Sequence, residues 1–234
     1  MTSLRQTPLP DAAADSGVHA QQARSRRTEE ALLQAAFTLF RERGVDAVTV
    51  ADIAAAAAVA PATIYRRFGD KEGLLRATVR RFTTQALELV ALTPGVRSHD
   101  DFIACVADVL VVVWRFTQGN QNLLRSVYAK ALSDDFYADC LLTLRRSVFA
   151  ALRAHFLAHA AHIRHPQPQR AVEFTLRQAV AMLSARLEAS RLEVNEGAMS
   201  DAAFLRELVL SMLAYLQVPH SEDAIDRALR ARGL

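Results

Sequence analysis

The chain has 234 residues, of which 51% are hydrophobic and 23% charged, with only 8 Gly, 7 Pro and 2 Cys. That length supports one large domain or two modest ones with a buried core. Its Ala-, Leu- and Arg-rich composition, almost free of alternating Val, Ile and Thr, argues against a sheet and for an all-α protein. Net charge is +3 and unevenly placed: residues 1–86 carry 12 Lys+Arg against 9 Asp+Glu, and residues 87–234 carry 16 against 16. A basic N-terminal module on a neutral body suits a polyanionic partner at that end. The longest apolar run, 102–114, contains Asp108 and is shorter than the roughly 20 residues of a bilayer span. The first residues lack the apolar stretch of a signal peptide. Two cysteines make no disulfide framework. These features lead to the expectation of a cytoplasmic protein with no membrane partner.

Residues 1–23 mix Thr, Pro, Ala, Asp and Ser without period and are expected to form a disordered arm. Arg24, Arg26 and Arg27 follow as a basic cluster, either solvated or set against a DNA backbone or minor groove. A first helix is expected over 28–43, capped by Thr28, with Leu32, Ala35, Ala36, Leu39 and Phe40 on one face and Gly44 at its end. Thr49 caps a second helix containing Val50, Ile53, Ala54 and Ala57. A third begins near Ala60, with Pro61 in its first turn, where a missing N–H costs nothing. It runs to Phe68, and Gly69 breaks it. Asp70 then caps a long helix to about residue 92, stopped by Thr93-Pro94-Gly95.

The later chain reads as more helix. Residues 98–101 resemble a capping box before a helix over 102–118. Helices are expected over 122–132, from a Ser133-Asp134-Asp135 cap to about His162, over 169–195, over 201–216, and from a Ser221-Glu222-Asp223 cap to Arg232. The domain reading is therefore a 1–23 arm, a DNA-binding domain over 24–86 and a helical domain over 87–234.

The stretch 49–68 is a helix-turn-helix on its own physics: a capped helix, a short break and a second short helix. Neither helix is long enough to be stable alone. At about 100° per residue, Ile64 and Phe68 face inward and Ala62 and Arg66 outward, with Thr63 and Tyr65 on the flanks. Small residues at the start of that face allow close approach to base edges. An arginine there can donate two hydrogen bonds to guanine. Thr63 and Tyr65 suit phosphate or base contacts, Arg67 lies to one side within reach of phosphate, and Lys71 follows just past the helix.

Residues 28–78 resemble the DNA-binding domain of the tetracycline-repressor (TetR) family. The resemblance is carried by Ala35-Ala36, Leu39-Phe40, Gly44, Thr49-Val50, Asp52-Ile53-Ala54, Val59, Pro61, Thr63-Ile64-Tyr65, Phe68, Asp70-Lys71-Glu72 and Leu74-Leu75. It implies an N-terminal three-helix domain joined by a long helix to a C-terminal bundle that binds an effector and dimerises. It also implies a homodimer on a palindromic double-stranded operator, released by a small molecule. Thr49, Ala60, Pro61, Ala62, Thr63, Tyr65, Arg66 and Lys71 then occupy DNA-facing positions, with Arg26, Arg27 and Arg67 as further candidates. Two residues depart from the family pattern. Ala58 stands where Gly is common, which matters if the turn needs φ > 0. Ala60 stands where a capping residue such as Ser is usual.

The C-terminal domain has no comparable motif. Phe174, Ala181, Ala185, Leu192, Phe204, Leu208, Met212 and Tyr215 form apolar stripes that fit either a core or the four-helix dimer interface the resemblance implies. Trp114, Phe116 and Tyr128 are candidate effector-site aromatics. His155, His159 and His162, followed by His165, are spaced for one helix face and could ligate a metal, although no carboxylate or thiol completes a set. Cys105 and Cys140 are a candidate redox pair, with inert burial the default. No cofactor is called for, and without a phosphate loop, HExxH or CxxC no enzyme is expected. The alternatives are a helical ligand-binding or scaffold protein without DNA function, and a metal- or redox-dependent protein built on the histidines.

Overall fold

The computed structural model describes residues 12–90, 99–191 and 199–233, with side chains over 21–88, 102–186 and 199–233. Among the described residues there are ten α-helices and no strand. They are α1 (Ala12–Arg43), α2 (Val50–Ala56), α3 (Pro61–Phe68), α4 (Lys71–Val90), α5 (His99–Gly119), α6 (Gln121–Ala131), α7 (Asp135–Ala158), α8 (Pro168–Arg191), α9 (Asp201–Tyr215) and α10 (Glu222–Arg230). A short 3-10 turn, Ala160–His162, follows α7.

The chain divides into two compact units, Met1–Thr78 and Val79–Leu234. The division lies inside α4, eight residues before the boundary read from sequence. In the first unit, α2 packs against both α1 and α3. Its core is Leu32, Ala36, Phe40, Val45, Val48, Ile53, Ala54, Ile64, Leu74 and Leu75, each no more than 4% exposed. Phe68, expected to face inward, is only partly buried, as is Val59.

In the second unit, α5 lies against α6, α8, α9 and α10, and α7 lies against α6 and α8. One continuous core runs from Phe102 and Trp114 on α5 to Leu208, Met212 and Ile225 on α9 and α10. By length and composition, Phe102–Gly119 is apolar enough to cross a membrane, unlike the shorter run considered from sequence. Half of that window is buried within the unit, Asp108 pairs with Arg232, and Arg115 donates to the Arg232 carbonyl. These contacts make it the central helix of the bundle.

Several expectations are corrected. Helix α1 begins at Ala12, so 12–23 is helical where an unstructured arm was expected; residues 1–11 lie outside the described residues. Thr28 does not cap α1. Its hydroxyl donates to the Arg24 carbonyl at 3.0 Å, a bond available only inside a helix already under way. Ala12, Ala13, Ala14, Ala20 and Ala23 carry strong helix propensity through this stretch. Within the expected Ser133-Asp134-Asp135 cap of α7, the capping residue is Asp134, whose carboxylate accepts from the Phe136 N–H at 3.0 Å. Helix α7 ends at Ala158, not near His162. The expected helix ends at 92 and 195 and the 98–101 capping box lie partly or wholly outside the described residues.

Candidate nucleic-acid interface

The helix-turn-helix is assembled by local hydrogen bonds. The Thr49 backbone N–H donates to Asp52 Oδ2 at 2.8 Å, and the Asp52 N–H donates to Thr49 Oγ1 at 3.1 Å. This closes a capping box at the start of α2. The Thr49 hydroxyl also donates to the same carboxylate at 2.8 Å. The backbone bond from Thr49, then its hydroxyl bond, hold the Asp52 carboxyl below the usual carboxylate range, and the Arg43 guanidinium adds to the effect. So Thr49 is exposed as expected, but its hydroxyl is already engaged.

The turn between α2 and α3 depends on Ala58, which adopts φ +53°. The Val59 N–H donates to the Ala54 carbonyl at 2.9 Å, and the Ala58 N–H donates to the Ala55 carbonyl at 3.1 Å. This is a Schellman closure with alanine at the left-handed position where glycine is usual. Ala60 then precedes α3 with no side-chain cap, and Pro61 starts the helix. At the other end, Gly69 (φ +81°) closes α3, and the Asp70 carboxylate accepts from the Gly73 N–H at 2.7 Å. A Cβ at Gly73 would lie 2.0 Å from the Phe68 carbonyl oxygen. Gly73 therefore permits α3 and α4 to approach, a role nothing in the sequence motif indicated.

Helix α3 presents its predicted face. Ile64 is fully buried. Ala60, Pro61, Ala62, Tyr65 and Arg66 are exposed, while Thr63 and Lys71 are half-buried. Tyr65 is 54% exposed, a large amphipathic side chain held out from a small domain. Arg66 forms no ion pair among the described residues. Arg26 and Arg27 are exposed on α1. Arg67 differs. Its guanidinium donates to Ser25 Oγ at 2.9 Å and lies 3.6 Å from Glu29, with its side chain 20% exposed. It braces α3 against α1 where a phosphate contact was expected.

The candidate effector aromatics are not brought together. Trp114 is buried against Phe204. Phe116 stacks on Phe82 at 5.3 Å. Tyr128 is 48% exposed. The histidines also separate, because α7 ends before the last of them. His155 and His159 remain neighbours, whereas His162 stacks on Phe102 and His165 on Tyr215. No group of three metal-ligating side chains occurs among the described residues. Cys105 and Cys140 are both free thiols. Cys105 contacts His155 Nε2 at 2.9 Å, and burial pushes its thiol up to about 11. Of the apolar stripes, Leu208 and Met212 are core, whereas Phe174, Met182 and Tyr215 stay exposed, and Leu192 lies outside the described residues.

A sequence profile of bacterial regulatory proteins of the tetR family matches residues 32–78, the part of the chain that contains this interface. Over 57 residues, 24% of this chain, the sequence is 47% identical to the HTH-type transcriptional repressor KstR2 of Rhodococcus jostii; the match spans 27% of that protein. Among solved structures, a TetR-family transcriptional regulator of Mesorhizobium loti aligns with TM-score 0.65 at 20% identity, covering 83% of this chain and 97% of that one. Salmonella enterica GusR aligns with TM-score 0.57 at 20% identity over 81% and 95% of the two chains. At such identities the structural likeness speaks for the fold and the profile match speaks for the N-terminal domain. Together they show that residues 32–78 match the DNA-binding domain of tetR-family bacterial regulatory proteins and that the chain shares the fold of solved TetR-family regulators.

Proposed function

We propose that the chain is a sequence-specific transcriptional regulator, a repressor that binds a palindromic double-stranded operator as a homodimer and releases it on binding a small molecule. It acts by binding, not turnover, in the cytoplasm where its operator is. The observation that carries this reading is the α3 face. Ala62 and Pro61 leave room at its start, Tyr65 and Arg66 project from it, and only the Arg67 cation is drawn back into the domain. In this reading, Arg66 donates to a base edge, Tyr65 and Thr63 touch phosphate or base, and Lys71, Arg26 and Arg27 meet flanking phosphates. Thr49 and Ala60 approach the backbone through their main chain, since one hydroxyl is engaged and the other residue has none. The 1–78 unit is the DNA-binding module, and the second unit is the effector and dimer module. Phe174, Met182 and Tyr215, an exposed apolar set on α8 and α9, are the proposed dimer contact.

The test is selection of fragmented genomic DNA by the purified protein and by Arg66→Ala. The expected outcome is one enriched two-fold-symmetric site, bound by the variant with about 1–3 kcal/mol less free energy and relaxed preference at one base pair per half-site. Enrichment of no site at modest salt would overturn the reading.

A further inference from the structure

The side chains at the seam of α7 and α8 follow two parallel helical rows. On α7, Leu142, Arg145, Arg146, Phe149 and Arg153 recur at three- and four-residue spacing, and on α8 Glu173, Arg177, Val180 and Ser184 do the same. Between them lies an open groove of about 890 Å³, within the range of small-molecule sites. Its lining includes four arginines and one carboxylate. That is a local excess of +3 in a region, 87–234, that is balanced overall at 16 against 16.

The lone carboxylate is already taken. Glu173 accepts from Arg177 at 2.8 Å, and the Arg177 guanidinium also lies over the Phe149 ring at 5.5 Å. Arg145, Arg146 and Arg153 are exposed, and none forms an ion pair among the described residues. Clustering cations without acids costs self-repulsion that an anion relieves, and guanidinium forks suit carboxylate and phosphate. The floor beside them is apolar: Leu142, which is 46% exposed, with Phe149 and Val180. An inorganic anion would leave that floor wet, and a neutral hydrocarbon would leave the arginines unmatched.

We propose that the α7–α8 seam is a binding site for an amphipathic organic anion, its carboxylate or phosphate held by Arg145, Arg146 and Arg153 and its hydrocarbon laid along Leu142, Phe149 and Val180. The site uses none of the residues assigned to DNA, and its test needs no DNA.

Calorimetric titration of the full chain with decanoate and with decyl phosphate, against decanol and decyltrimethylammonium, decides it. The expected result is binding of one or both anions, weakened by added salt, with no binding of the alcohol or the cation. Whichever anion binds more tightly identifies the head group. Arg146→Glu/Arg153→Glu is expected to weaken the anion about tenfold or more, while Arg125→Glu on α6 leaves it unchanged. If the double variant loses helicity, Leu142→Trp serves instead, its emission shifting with the anion and not with decanol. Failure of both anions to bind, equal binding of decanol, or full affinity in a folded double variant would overturn the proposal. So would a change in sedimenting mass of the double variant with no anion bound by the wild type, because the seam would then be covered by a second copy. Loss of non-specific duplex binding in that variant, with neither anion bound, would give the arginines to nucleic acid and also overturn it.

Discussion

Ala58 concentrates the local strain of the helix-turn-helix. A φ of +53° brings an alanine Cβ close to the following carbonyl, a cost of roughly 1–2 kcal/mol. The two Schellman hydrogen bonds and the packing of α2 on both neighbours hold it there. Ala58→Gly is therefore expected to stabilise the protein by about 1 kcal/mol, net of the extra freedom glycine has when unfolded. Urea unfolding followed by circular dichroism reads this directly, and an unchanged or lower midpoint would mean the neighbouring residues already absorb the strain. The sequence motif located this position, because glycine is the usual occupant. It did not disclose Arg67 as a brace, since its bond to Ser25 needs a helix that extends back past the expected start at Thr28.

At the scale of the element, caps decide where helices begin and packing decides whether they persist. Helix α2 has seven residues, too few to stand alone, so it relies on the Thr49–Asp52 box and on burying Ile53 and Ala54. Thr49→Ala is expected to cost about 1 kcal/mol, seen as a lower urea midpoint with no change in slope. Asp52 adds a pH signature. Its carboxyl is held below the usual range in the folded protein, so its contribution is present above the unfolded carboxylate value, near ~4, and is lost as pH falls through the lower folded value. Acid titration of Asp52→Asn should lack that loss. Helix α5 shows the opposite balance. Its Val109-Leu110-Val111-Val112-Val113 run favours strand by propensity, yet Val109, Leu110 and Val111 are buried in the bundle while Val112 is 58% exposed. Burial on several sides outweighs the small entropic penalty of β-branched residues in a helix.

Across the whole molecule, the second unit is organised around a core that shields its polar chemistry. Cys105 is 3% exposed and touches His155, whose imidazole is shifted down by burial and then by His159. With its thiol pushed up to about 11, Cys105 stays protonated and unreactive at neutral pH. At pH 8, iodoacetamide is expected to label the half-buried Cys140 first and Cys105 only as fast as the unit opens. Rapid labelling of native Cys105 would contradict the burial. The stabilising contribution is present below the unfolded thiol value, near ~8.5, and is lost as pH rises from there toward about 11. Among the described residues no three metal-ligating side chains gather around this thiol and its histidine partner. The histidines were spaced for one face, but α7 ends at Ala158 and turns the later ones elsewhere.

By itself the sequence determined the all-α class, the helix-turn-helix register, the inward Ile64 and outward Ala62 and Arg66, and the caps at Thr49, Asp70 and Ser221. Each of these depends on residues within one or two turns of each other, where periodicity and hydrogen-bond chemistry act directly. Only the tertiary structure decided that α1 starts at Ala12, that Gly73 must lack a side chain beside Phe68, and that Arg67 faces α1. It also decided that Trp114, Phe116 and Tyr128 stand apart and that four arginines converge at the α7–α8 seam. These depend on contacts between residues far apart in the chain, set by how helices of similar amphipathicity choose among partners, and a single helix's pattern of apolar residues does not carry that choice.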